Sequence, residues 1–418
     1  MSSAGGWLLV RGLDERRGLT GLRQNHLGDS RRGRNPQFPL ADRFRQSAYS
    51  RLAGYEDLHD ARRLAGDPTF RRMGAAKGWA RGVARTSSLH GFAPAWLARA
   101  ENWSGWLRLH RALVGRAAGV GSPHRGVLDR DRRERPGSGE PAQSADNGYC
   151  GSGCYPPLFL LTRQGDGLVA KWRPGHGHRA EGGAAVRLPE LARQRQNGQE
   201  VVLRADAAWA QPEIDAALEE RGVQDALRLP VKENRERASE ARRRRPVGRP
   251  SHRPGVRDQG CFEQAASWQT ARRVVAKVEF QAGELFPRVG FIVTHLALPR
   301  RAVVRFDNQR GTAEQGIQAG PLALKMTRLS CHRFRGQAGR WWLSVTASHG
   351  GNRWRRLAWP RRIGHWSLTS WPPRLVQTGG RLLKPTRYYW LLLAEGHLRR
   401  GCFGRRLRRI AALPPPDG

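Results

Sequence analysis

The chain has 418 residues, 74 of them Lys or Arg against 35 Asp or Glu, for a formal charge of +39. At about 150 residues per domain this length predicts two or three domains, and 39% apolar residues is enough for a buried core. The 5 Cys, odd in number and scattered, exclude a disulfide framework. Apolar stretches such as Tyr388–Ala394 fall far short of the ~20 residues that span a bilayer, and Met1–Leu9 has neither a basic n-region nor a long apolar core, which argues against a secretory signal. The basic excess predicts a polyanionic partner. Arg outnumbers Lys 68 to 6 beside 50 Gly and 26 Pro, which suggests a GC-rich coding strand, so part of the charge reflects base composition. The composition points to a soluble, intracellular chain that faces nucleic acid.

Residues 1–120 read as mostly helical. Pro39 precedes Leu40, Phe44, Ala48 and Leu52, an every-fourth-residue stripe that predicts one helix ending at Gly54. Asp57 reads as the cap of a helix over Leu58–Leu64, closed by Gly66-Asp67-Pro68. Arg43, Arg45, Arg51, Arg62 and Arg63 would let this pair dock on phosphates or simply form a solvated basic face. After a break at Gly115–Pro123, Val127-Leu128-Asp129 is strand-like and Pro136–Asn147 reads as a polar loop. Pro157–Thr162 and Leu168–Trp172 flank Arg163-Gln164-Gly165-Asp166-Gly167, a hairpin signal. A helix over Leu188–Gln196 stops at Asn197-Gly198. The apolar Glu200–Leu203 then runs into Arg204-Ala205-Asp206 and a helix over Pro212–Arg221, a strand–loop–helix unit whose strand ends in a carboxylate.

Residues 231–260 read as a loop rich in Arg, Pro and Gly, with the run Arg242–Arg245 a solvated linker or a DNA-backbone contact. Strand patterns return at Val274–Phe280, Val289–Leu296 and Ala302–Phe306. From Arg310 to Leu413 the pattern is helical, interrupted at Gly350-Gly351 and Pro372-Pro373. Trp341, Trp342, Trp354, Trp359, Trp366, Trp371 and Trp390 fall here, as packing residues or as stacking surfaces for unpaired bases. The cluster Arg405-Arg406-Leu407-Arg408-Arg409 suits phosphate contact or a solvated surface.

Carboxylates follow the first strand (Asp129, Asp131) and a later strand (Asp206), and one opens a later helix (Glu314). Acidic groups gathered from separate elements suit hard divalent cations, and paired ions activate an attacking oxygen and stabilise the leaving one in phosphodiester displacement. Cys150, Cys154, His176 and His178 are a weaker zinc candidate, set among Gly175 and Gly177. No Ser or Cys pairs recognisably with a His for nucleophilic catalysis.

Longer strings carry a family likeness. Gln37-Phe38-Pro39-Leu40-Ala41-Asp42, Gly54-Tyr55-Glu56-Asp57, Asp67-Pro68-Thr69-Phe70, Val127-Leu128-Asp129-Arg130-Asp131 and Leu203-Arg204-Ala205-Asp206-Ala207 resemble bacterial insertion-sequence transposases with a group 1 DDE domain. The resemblance is strongest from Gln264-Ala265-Ala266-Ser267-Trp268 and Arg272–Glu279 to Gly290-Phe291-Ile292-Val293-Thr294. It continues through Arg310-Gly311-Thr312-Ala313-Glu314-Gln315 and Thr327–Phe334, and overall covers about Gly18 to Leu413.

The resemblance implies an α/β fold: an RNase H-like mixed sheet flanked by helices, with a β-rich insertion between Asp206 and Glu314 and helical N- and C-terminal regions. The implied units are a helical DNA-binding region (1–120), the first part of the catalytic core (121–207), a basic loop with the β-rich insertion (208–306), and the end of the core with C-terminal helices (307–413). It implies Asp131, Asp206 and Glu314 as catalytic residues, with Asp129 a further metal ligand, holding two Mg²⁺ or Mn²⁺ ions. It also implies Arg310, Lys325 and Arg328 on DNA, with terminal inverted repeats and target DNA as partners. A homodimer on DNA in the bacterial cytoplasm, with no membrane, completes the implied picture.

The sequence departs from the family pattern around these positions: Asp307 where a Tyr is expected, Gly316 for a Trp, Pro321 for a Lys, and Arg132 and Arg133 for small hydroxyl residues. Pro inside a helix costs ~3 kcal/mol and Gly about 1 kcal/mol relative to Ala, so these changes predict a site with weakened supports. The alternatives to an active transposase are a non-catalytic, basic DNA-binding remnant and an unstable product of a decayed element.

Overall fold

A computed structural model describes residues 1–29, 38–55, 57–75, 82–118, 125–131, 135–136, 142–147, 152–176, 183–205, 212–245, 254–266, 268–309, 333–359, 376–386, 388–393 and 400–414. Among the described residues six helices open the chain: α1 (Trp7–Arg16), α2 (Leu19–His26), α3 (Leu40–Leu52), α4 (Asp60–Leu64), α5 (Pro68–Gly74) and α6 (Thr86–His90). A π-helical stretch, Phe92–Leu97, leads into α7 (Ala100–Ala118). The α3 stripe behaves as its period predicts: Leu40, Phe44, Ala48 and Leu52 are all buried, and Gly54 leaves the helix at φ 84°, a value that suits glycine. Gly66-Asp67-Pro68 does more than close α4. Asp67 accepts from the Thr69 and Phe70 N–H groups and Pro68 takes the first turn, so the tripeptide starts α5.

The central sheet follows: β1 (Arg125–Asp131), then β2 (Arg135–Pro136), β3 (Ala145–Asn147) and β4 (Ser152–Tyr155) as a small separate sheet, then β5 (Leu158–Thr162) and β6 (Gly167–Lys171). The stretch expected to be a polar loop, Pro136–Asn147, thus carries strand at both ends, because β4 pairs with β2 and β3. Helix α8 (Gly183–Gln196), β7 (Glu200–Ala205), α9 (Pro212–Glu220) and β8 (Gln224–Leu229) complete the first half. The expected Arg-rich loop is partly ordered as α10 (Glu233–Ala238), α11 (Glu240–Arg243) and the start of β9 (Gly255–Glu263). Strands β10 (Arg272–Phe280) and β11 (Arg288–Thr294) precede α12 (Arg300–Asn308), α13 (Phe334–Leu357), the hairpin β12 (Gly380–Leu383) and β13 (Trp390–Leu393), and α14 (Arg400–Ala411).

Eight strands form one mixed, open sheet in the order β6-β5-β1-β7-β8-β11-β10-β9. β1, β7 and β8 run parallel, and the remaining neighbours pair antiparallel. The architecture is the α/β, RNase H-like one, and the β-rich insertion does not stand apart: β8 pairs with β7 of the core, and β11 and β10 follow on from it to extend the sheet.

Three readings of the second half are corrected. Ala302–Phe306, taken as a strand, is the centre of α12. A five-residue apolar run does not distinguish the two states, and here Val303, Val304 and Asp307 are buried at helical spacing behind a Pro299 start. Helix α13 runs unbroken through Gly350-Gly351, held by packing on α3 that would admit a side chain there, since a Cβ at 350 would meet Leu52 Cδ2 at an ordinary van der Waals 3.8 Å. The C-terminal region, read as helical, contains the β12–β13 hairpin.

The two faces of the sheet are covered differently. Val201, Leu203, Ala205 and Leu227 pack toward Leu191 of α8 and Leu218 of α9. On the other face Phe159, Leu161 and Trp172 join the large helical core with Trp341 and Val345 of α13, while Val202, Ala226, Val275 and Ile292 pack on Val303 and Val304 of α12. That face therefore carries two helices, α13 over β5 and β6 and α12 over β7, β8, β11 and β10.

Candidate active site

In a parallel pair both carboxyl ends reach the same edge of the sheet. Asp129 stands in register with Arg204 of β7 on one side and Leu161 of β5 on the other, and Asp131 opposite Phe159. Leu161 and Phe159 face α13; Arg204 faces α12. The backbone of β1 at 129 and 131 thus lies in the strip between the two helices; the Asp129 and Asp131 side chains are not among the described atoms. Strand β7 ends at Ala205, and Asp206, the next residue, lies outside the described residues, as do Arg310, Glu314, Lys325 and Arg328.

The end of α12 is held at this edge by three strands. Arg204, 1% exposed, donates from Nη1 to the Phe306 carbonyl at 2.7 Å with its guanidinium 4.8 Å from the Phe306 ring centroid. Arg228 of β8 grips the buried Asp307 carboxylate, Nη2 to Oδ2 at 2.9 Å and Nε to both oxygens at 3.2 Å. Lys277 of β10 donates to Asn308 Oδ1 at 2.5 Å and pairs with Glu279 at 2.7 Å. Three successive helix residues are fixed by three strands, and Asp307, a departure from the family pattern, has an Arg partner. These anchors were not readable beforehand; their one trace is Arg at inward strand positions, and the partners lie 102, 79 and 31 residues away.

Helix α13 begins at the same edge. The Phe334 ring packs at a tilt on Tyr155, centroids 5.9 Å apart, and Trp341 meets Phe159, the register partner of Asp131, at 4.7 Å. Its far end is tied to the opposite edge: Gly167 N–H donates to His349 Nε2 at 3.0 Å, Asn352 donates to the Gly165 carbonyl at 3.1 Å, and Arg356 pairs with Asp166. Burial and the nearby Arg353 and Arg356 pull the His349 imidazole down to about 3, so it stays a neutral acceptor. The chain leaves α12 and re-enters α13 at the edge where β1 and β7 end, and 310–332 is the connection.

The other expectations divide. Arg45 and Arg51 are buried, Arg45 on Asp14 and Asp42 and Arg51 on the Ser47 carbonyl, whereas Arg62 and Arg63 are exposed. Trp341, Trp342, Trp354 and Trp359 are core residues and Trp390 is exposed; Trp366 and Trp371 lie outside the described residues. In the Arg405–Arg409 cluster, Arg406 is buried beside Trp354 and the others face outward. Cys154 is buried and His176 exposed, with Cys150 and His178 outside the described residues. Among the described residues no group of three His, Cys, Asp or Glu is arranged to hold a metal, and no helix is long and apolar enough to cross a membrane.

The family described as Transposase DDE domain group 1 matches residues 1–415. No curated protein matches the chain. Among solved structures, a cryo-EM structure of the piggyBac transposase synaptic complex with hairpin DNA is similar at 10% identity and a TM-score of 0.48, over 88% of this chain and 79% of that one. With the family match running through nearly every residue, the chain belongs to the group 1 DDE transposases.

Proposed function

We propose that this protein cleaves the ends of its own DNA element and transfers the resulting strands, through carboxylates supplied by β1, by the residue after β7, and by the connection between α12 and α13. One observation carries this reading: the ends of β1 and β7, the end of α12 and the start of α13 all come to one edge of the sheet. Asp129, Asp131, Asp206 and Glu314 belong to those segments. Their donor set is entirely oxygen, which suits a hard divalent cation. Two bound Mg²⁺ or Mn²⁺ ions would supply activation of the attacking oxygen and stabilisation of the leaving one. Asp131 from β1 and Asp206 from the segment after β7 then orient the scissile phosphate, Glu314 completes the site, and Arg310, Lys325 and Arg328 neutralise the DNA backbone. The +39 charge supports a DNA partner, with terminal inverted repeats and target DNA as substrates and two copies pairing the two ends.

The test is nicking of a duplex carrying the element's end. Wild type cuts with Mn²⁺ or Mg²⁺, and Asp206→Asn loses at least about 10²-fold in rate while keeping end binding in ~0.2 M salt. End-specific binding without nicking in the wild type would favour the non-catalytic reading, and nicking retained by Asp206→Asn would refute the assignment.

A further inference from the structure

Strand alternation gives the β12–β13 hairpin two unlike faces. Leu391 and Leu393 pack against the main helical core, Leu382 is buried, and the chain next to β12 is bonded to the N-terminus, Ser2 to Gly380 at 2.8 Å and Gly5 to Thr378 at 2.7 Å. The other face pairs Arg381 with Leu392 and Leu383 with Trp390. Trp390 is 59% exposed and Tyr388, at the tip, 73%. Beside them the Tyr389 ring lies between two cations, Arg72 of α5 at 4.6 Å and Lys384 at 5.6 Å.

Trp390 presents an exposed aromatic face on an anchored ribbon. Among the described residues, Arg381 shares that face, Lys384 and Arg72 meet the neighbouring Tyr389 ring, and the Asp67 carboxylate, linked to the hairpin through Ser2, is already satisfied by Ser2, Ser3 and Thr69, so the complementary partner is an anion with flat rings. We propose that this face binds unpaired nucleotides, bases stacking on Trp390 and Tyr388 and phosphates meeting Arg381 and Lys384, so that it holds single-stranded DNA at an opened element end. Base–aromatic stacking is tolerant of sequence and pairs naturally with a basic surround. The inference rests on the reading that the protein acts on DNA, but not on its cleaving DNA, and its test is run without metal so that the two fail separately.

The experiment uses the full chain in EDTA at ~0.2 M salt, where non-specific phosphate binding is weak, with fluorescent oligo-thymidine of about 20 nucleotides and a duplex of equal length as probes. Trp390→Ala is expected to weaken single-strand binding about tenfold and duplex binding less than about twofold, and Trp390→Phe to restore most of the loss. Thermal unfolding of both variants checks that the exposed substitution leaves the fold intact. Equal loss on both probes, or no loss on either, overturns the proposal. A drop in oligomeric state of Trp390→Ala by sedimentation, with oligo-thymidine binding unchanged, overturns it in favour of an interface between two copies of this chain.

Discussion

Asp14 and His295 illustrate what buried charge does in this chain. Burial pushes the Asp14 carboxyl up, but Arg23 at 3.1 Å and Arg45 at 3.3 Å outweigh it and hold it below the usual carboxylate range. Both Arg are themselves buried, so Asp14→Ala removes the counter-charge of Arg23 and leaves Arg45 with Asp42 alone, and should cost about 3–5 kcal/mol in chemical denaturation. Removing the exposed Glu233 beside Arg237 should cost less than about 0.5 kcal/mol. His295 lies between Asp225, Nδ1 to Oδ1 at 2.7 Å, and Glu219, Nε2 to Oε1 at 2.7 Å, with Arg272 also on Glu219. The hydrogen bond to Asp225, opposed by burial and helped by both carboxylate charges, raises the imidazole to about 8. A raised folded-state pKa stabilises below the unfolded value near 6.5, and that stability is lost as pH rises through about 8. Wild type should therefore lose about 1–2 kcal/mol across that window, discounted for partial exposure, and His295→Gln should flatten that part of the stability profile. The two buried networks have no local signature, Asp14 and Arg45 being 31 residues apart and Asp225 and His295 70, so only the acidic residues embedded in long family-like strings could be singled out beforehand.

Elements were legible where one period dominated. The four-residue stripe of α3, the Gly165 and Gly198 turns and the strands β10 and β11 follow from sequence, whereas β8 was not read and β9 begins inside the stretch read as an Arg-rich loop. Ala302–Phe306 did not, because a short apolar run fits either state and its helical form is settled by contacts with β7, β8 and β10. Gly350-Gly351 misled for a similar reason: a Gly pair weakens an isolated helix by about 1 kcal/mol per residue, but α13 is buried in the helical core along most of its length. The α12 terminus offers the sharpest test at this scale. Arg204→Met keeps most of the buried volume and removes the donor to Phe306, which should cost about 1–3 kcal/mol of stability. It should also slow end nicking while Arg237→Met, on an exposed ion pair, leaves both unchanged. Normal nicking by a destabilised Arg204→Met would mean that the α12 end does not set the geometry of the site.

At the scale of the whole molecule, eight strands form one continuous sheet with two helices on the face that bears the β1 carboxylate positions. The sequence indicated a core and an insertion, yet not that β8 would pair with β7 and β11 with β8 and so fuse them, since strand order is set by pairings between distant segments. This fusion matters for function. It lets β8 and β10 of the extended sheet hold α12, so the insertion supports the connection that carries Glu314. The joint position of the carboxylates was legible only as a family resemblance, because 75 and 108 residues separate Asp131 from Asp206 and Asp206 from Glu314. Replacing the divalent ion by Fe²⁺ and adding peroxide would test it most directly, since radicals formed at a bound iron cut only the nearby backbone. Cuts close to 131, 206 and 314 together, abolished by excess Mg²⁺ and by Asp206→Asn, are the expected result. Cuts confined to one of these segments, or found elsewhere in the chain, would contradict a shared site.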